Sequence, residues 1–357
     1  MKSSSVRSFS SRRALGAGMS TLVGLGAALA LGSPAVAAGT SYVALGDSYS
    51  SGTGTRTYIS DGTSCQRSVY AYPSLDASAL GLALTFRACS GATVADVTNT
   101  QLSALSSTTA YVTISVGGND AGFADVLTEC AQPGWMSNCN GAVNEAQSII
   151  SYTLPGRLST LYSSIRSKAP NARVIVVGYP RIFNGEDCNT FTWFSPTEES
   201  RLNATADLLN SRTASAAAGA GFTFVNPTSR FVGHAVCDSS EWINGLSSPI
   251  SESYHPNVAG HRDGYVVVTK PAFGLGVALS AKQAEARAVA SADRLAHDAQ
   301  RYAAADLTIT PERFVAPDLT TPEARAAAAR AGVDLSSRAS IDAADRAASA
   351  KQDAAYR

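Results

Sequence analysis

Four short segments of the sequence carry groups suited to covalent chemistry on an acyl or similar centre. Tyr42 to Ser51 reads YVALGDSYSS, an apolar run that stops on Gly-Asp-Ser. A serine there can act as a nucleophile if a base takes its proton and donors hold the oxyanion formed on attack. Ser48 is that candidate, and Gly46 permits a tight turn before it. Gly91, in CSGAT, can offer a backbone N–H at close approach, and Asn119, in GGND, can offer a side-chain amide. His255, in ESYHPN, is the candidate base. Each segment alone also reads as an ordinary turn; Gly-Gly-Asn-Asp in particular is good turn chemistry. Their joint order and their position after apolar runs favour a single site.

Those runs are YVALG (42–46), LALTFRA (82–88), YVTISV (111–116), RVIVVGY (173–179) and GFTFVN (221–226). Helical stretches separate them, among them 142–168 and 195–218, the latter opening on Ser-Pro-Thr-Glu-Glu as a capped helix does. Near-continuous apolar strands alternating with helices predict a parallel sheet covered on both faces. In such folds ligands sit beyond the carboxyl ends of the strands, where Ser48, Gly91 and Asn119 would emerge and where the long loop after the fifth run would deliver His255. Residues 275–357 differ in composition: Ala dominates with Arg, Asp, Glu and Ser, and Pro311, Pro317 and Pro322 interrupt the run. This predicts an appended, partly helical tail that adds little to the core, because large apolar residues are sparse. No sustained heptad supports a coiled coil.

The chain of 357 residues is 45% hydrophobic and 16% charged, with equal numbers of acidic and basic side chains. This suits a globular fold and gives no reason to expect nucleic acid as a partner. Lys2, Arg7, Arg12 and Arg13 precede the apolar TLVGLGAALALG and the small-residue run Ala35-Val36-Ala37. Residues 1–37 therefore read as a signal peptide for a secreted protein with no stable membrane span after cleavage. The Arg12-Arg13 pair leaves the twin-arginine route open beside the general one. All six cysteines follow that segment, and an even number in an exported chain implies disulfides. Cys130 and Cys139 bracket the short loop AQPGWMSN, which favours pairing of neighbours, although sequence alone does not choose among the pairings. No CxxC spacing occurs, so a zinc site is not expected.

Taken together, GDSYSSG, the Gly91 loop, GGND and SYHPN resemble the four sequence blocks of the SGNH (GDSL-type) hydrolases over roughly residues 41 to 270. The likeness is strongest to secreted actinomycete lipases, esterases and phospholipases A1. It implies a flavodoxin-like three-layer α/β/α sandwich with a parallel central sheet, spanning residues 38–274. By the same likeness Ser48 is the nucleophile, His255 the base, and Ser48, Gly91 and Asn119 the oxyanion hole. The resembling subgroup pairs its cysteines sequentially, implying Cys65–Cys89, Cys130–Cys139 and Cys188–Cys237. One departure stands out, since the family usually places Asp three residues before the histidine and this chain has Glu252. Some of the subgroup use a backbone carbonyl instead, which would be that of Ser253; either can fix the tautomer of His255. The implied reaction is hydrolysis of a carboxylic ester, with an ester or lipid as substrate, no cofactor or metal, and a monomeric enzyme. Tyr49, Tyr58, Phe123, Trp135, Trp193, Phe194 and Trp242 are the candidates to line an acyl groove, or else ordinary core. Two other readings compete, a carbohydrate deacetylase using the same groups and a secreted binding module without catalysis.

Overall fold

The computed structural model describes residues 39–277, 279–311 and 313–355. The predicted signal peptide lies outside the described residues. All five apolar runs form strands: β1 (Ser41–Gly46), β2 (Ala83–Phe86), β3 (Tyr111–Ser115), β4 (Arg173–Val177) and β5 (Thr223–Val225). They make one parallel sheet in the order β2-β1-β3-β4-β5. The chain steps from β1 to one side and from β3 to the other, so the gap between β1 and β3 is the switch point at which such sheets bind ligands.

Helices cover both faces, giving the three-layer α/β/α arrangement. Cys139–Ser148, Leu154–Lys168 and Pro196–Gly219 pack together in one layer. The predicted helix over 142–168 is present but is broken by a π turn, Ile149–Thr153, just before Pro155. Ser195 caps the next helix in a reciprocal box with Glu198. Disulfides join Cys65 to Cys89, Cys130 to Cys139 and Cys188 to Cys237.

The second layer overturns the expectation that the C-terminal segment adds little to the core. Helix Tyr72–Leu80 lies in this layer with every residue buried, because Val266–Ala272 and the alanine-rich Ala281–Ala290 pack against it. Small side chains let these backbones approach closely, so Ala284 and Ala288 substitute for the missing large residues. Leu295, Ile309 and Phe314 then join the core itself. Asp306, in the turn Ala303–Asp306, is fully buried and meets both Arg67 (2.6 Å) and Arg87 (2.8 Å), themselves fully buried. Arg67 also pairs with Asp61 at 2.7 Å, and the Arg87 guanidinium lies over the Tyr302 ring. Counting bulky apolar residues underestimates this docking, which joins alanine contacts and one shared carboxylate to the few large side chains Leu295, Ile309 and Phe314.

Burial also sets a pH dependence. It pushes Glu198 and Glu199 from 4.5 up to about 7. Both keep protons in the fold that the unfolded chain releases near pH 4.5, so their contribution is present below that pH and is lost as pH rises through about 7. His261, lowered to about 3 by burial and by His255, acts in the opposite sense below pH 6.5, one group against two. The denaturant midpoint should therefore fall between pH 5 and pH 8, and Glu198→Gln should flatten that fall. A midpoint rising over this range contradicts the assignment.

Candidate active site

The strand β1 ends on Gly46 with φ of 121°, a conformation that favours glycine. A side chain there would also sit 2.2 Å from the Ser115 carbonyl oxygen of β3. The Gln101 side chain clamps this turn, accepting from Gly46 N and donating to Gly46 O. Asp47 then caps the short helix Ser48–Ser51 by accepting from Tyr49 N. Its other carboxylate oxygen accepts from the Tyr179 hydroxyl at 2.5 Å. Burial first, and then Asp47, hold that hydroxyl well above the usual phenol range, so it stays a donor. Asp47 thus fixes the turn that presents Ser48, and Ser48 Oγ lies 2.9 Å from His255 Nε2.

His255 arrives on the long loop that follows β5. Asn244 organises this loop through hydrogen bonds with the backbones of Tyr254 and His255 and a side-chain bond to Gly54 O. Tyr254 takes φ of 61°, in the left-handed region, and its carbonyl accepts from the Tyr49 hydroxyl at 2.8 Å. The other ring nitrogen, Nδ1, lies 2.9 Å from the Ser253 carbonyl oxygen. The Glu252 carboxylate is engaged elsewhere: it accepts from Tyr58 at 2.7 Å and pairs with Arg56 at 3.4 Å. A carbonyl acceptor fixes Nδ1 as the protonated nitrogen and leaves Nε2 to accept from serine.

Asn119 follows β3 and lines the same cleft as Ser48. Its amide donates to the Ala92 carbonyl at 3.1 Å, and Asp120 accepts from Val94 N at 2.8 Å, so the GGND and Gly91 loops are tied together. Gly91 is buried, with φ of 83°, in the loop after β2. Of the aromatic candidates, Tyr49 and Phe123 line the cleft. Tyr58 serves Glu252, Trp193 donates to Asp342, Phe194 packs on Phe183 and Tyr254, and Trp242 stacks on His234 at 3.7 Å. His261 is fully buried and accepts from Tyr72 N.

Apolar walls from Phe123, Ile150, Ile182 and Leu209 line a narrow cleft of about 30 Å³ beside Ser48. Tyr179, Asn244, Ile150, Ile182 and Leu209 were not identified from the sequence. Tyr179 could have been, since it ends the fourth apolar run at the same rim as the others. The arrangement can activate a serine hydroxyl and stabilise an oxyanion beside apolar walls.

Residues 44–262 match the family described as GDSL-like Lipase/Acylhydrolase. Lipase 1 of Streptomyces coelicolor is 46% identical over 238 residues, 66% of this chain and 87% of that protein. The crystal structure of an extracellular lipase from Streptomyces rimosus superposes with a TM-score of 0.62 at 42% identity, covering 65% of this chain and 99% of that one. A phospholipase A1 from Streptomyces albidoflavus gives a TM-score of 0.62 at 43% identity, with 66% and 99% covered.

Proposed function

The chain belongs to the GDSL-like Lipase/Acylhydrolase family, and we propose that it hydrolyses lipid esters through an acyl-enzyme on Ser48. His255 Nε2 takes the serine proton as Oγ bonds to the ester carbonyl carbon. The oxyanion is held by the backbone N–H groups of Ser48 and Gly91 and by the Asn119 amide, which has a second donor beyond the one given to Ala92. As the carbon–oxygen bond to the alcohol breaks, His255 hands its proton to the departing oxygen. Water deprotonated by His255 then releases the acid. The Ser48–His255 contact of 2.9 Å is the observation that carries this reading.

Apolar cleft walls and relatives named as lipases and a phospholipase A1 support a lipid ester over an acetylated sugar. On a panel of triglyceride, phosphatidylcholine and acetylated xylo-oligosaccharides, the purified protein should cleave the lipids. Faster deacetylation of the sugars overturns the substrate assignment, and no turnover of any ester favours the binding module. Work outside the cell as a monomer fits the three disulfides, the extracellular S. rimosus relative and a catalytic pair drawn from one chain. Among the described residues no helix is long and apolar enough to cross a membrane.

Ser253 rather than Glu252 orients His255 in this mechanism. Glu252→Gln should accordingly keep ester hydrolysis within a few-fold of wild type. A loss of about 10²-fold or more would return the carboxylate to the role, since removing a true triad acid costs about 10⁴ in kcat.

A further inference from the structure

The contact between His255 Nδ1 and the Ser253 carbonyl spans only two residues, so the backbone of Tyr254 decides whether those atoms meet. Tyr254 holds φ at 61°, a conformation that a bulky side chain keeps only where its surroundings impose it. Its main chain is tied at both ends: Tyr254 N donates to Asn244 O, and the Tyr49 hydroxyl donates to its carbonyl at 2.8 Å. Its ring is caged by Phe183, Phe194 and Phe314. The ring hydroxyl is buried with no hydrogen-bond partner among the described residues, so packing alone fixes the ring.

Phe314 is the nearest wall of that cage. It meets the Tyr254 ring edge-on at 5.0 Å, against 5.8 Å for each of the other two. Phe183 and Phe194 also pack on each other at 4.8 Å, whereas Phe314 comes from the C-terminal segment, beyond the stretch 44–262 that matches the family. With Leu127, Ser253 and His255 it encloses a void of only about 10 Å³, no larger than one water. The segment is thus packed onto the loop that carries His255 and does not stand off from it.

The wall is also rigidly held. Phe314 is 5% exposed, and Val315 N donates to Thr128 Oγ1 at 2.9 Å on one side of it. On the other side Ile309 is buried and Asp306 is locked to the two arginines. We propose that Phe314 is a positioning residue for His255, acting through the Tyr254 ring. By closing the cage it keeps Tyr254 in the left-handed conformation that aims the Ser253 carbonyl at Nδ1 and leaves Nε2 on Ser48. This rests on the serine-hydrolase reading above, and it gives the C-terminal segment a part in catalysis as well as in the core.

Two rates measured on the full chain, each below the unfolding midpoint of the variant, read how well His255 takes the serine proton. They are turnover of nitrophenyl butyrate and labelling of Ser48 by a fluorophosphonate. Phe314→Ala should lower kcat about tenfold with KM within about twofold, and should slow labelling by a similar factor. Phe314→Leu keeps most of the apolar bulk and should retain only a loss of about two- to threefold in both rates. Leu295→Ala opens a cavity in the same segment but outside the cage, so it should lower the midpoint at least as far and leave kcat within about twofold. Wild-type kcat in Phe314→Ala, or an equal loss in Leu295→Ala, overturns the inference, because the effect is then absent or merely follows stability. A raised KM at unchanged kcat would set Phe314 against substrate and overturn it as well. Should Phe314→Ala not fold, wild-type rates in Phe314→Leu decide against the inference. A wild-type protein that cleaves no ester removes the serine-hydrolase reading and the inference with it.

Discussion

Ser48→Ala should abolish ester hydrolysis, with kcat falling by a factor on the order of 10⁶. The mutation removes one hydroxyl from a turn held by other groups. Gly46 remains clamped by Gln101, and Asp47 still accepts from Tyr49 N and Tyr179. The unfolding midpoint should move by no more than a few degrees. His255→Ala should cost a similar factor, and the double variant little more than either alone, because the two groups act in one step. Independent, multiplying losses would mean that the 2.9 Å contact is not the working one.

The second large effect concerns stability. Asp306→Ala should destabilise the fold by about 3–5 kcal/mol, because it leaves buried guanidinium charge without its carboxylate. Arg67 keeps Asp61 as a partner, but Arg87 is left with the Thr100 carbonyl and the Tyr302 ring. Burial already lowers the Arg87 pKa, and Asp306 is the largest influence opposing it. A loss of this size corresponds to a midpoint lower by about 5 °C for a chain of this length. A chain ending at residue 274 should fare no better, since it loses Asp306 together with the cover over helix Tyr72–Leu80. A wild-type midpoint in Asp306→Ala would show that the C-terminal segment is dispensable to the fold.

Strand runs and small-residue turns were legible in the sequence because both are local signals. A parallel strand buried on both faces is apolar along its length, and the residues that follow it are polar wherever the rim carries chemistry. That logic reaches Ser48, Gly91, Asn119 and His255. It stops at contacts that depend on where distant segments meet. The choice between Glu252 and Ser253 turns on Tyr58 and Arg56, nearly 200 residues earlier, which draw the carboxylate away from the histidine. Asp306 looks like any acid in an Ala-rich helix until two core arginines are found around it. Phe314 has no periodic context at all, lying among prolines in a segment that composition marks as peripheral. Charge pairing and alanine packing, which help to hold this segment, leave little trace in hydropathy.

The proposed function stands on a covalent intermediate at Ser48 with His255 as its base. Treating the full protein with a fluorophosphonate and mapping the adduct by peptide mass spectrometry tests it most directly. One phosphonyl group per chain is expected, on the peptide containing Ser48, gained in step with the loss of ester hydrolysis and strongly slowed in His255→Ala. An adduct on another residue, or hydrolysis that survives complete labelling of Ser48, would contradict it.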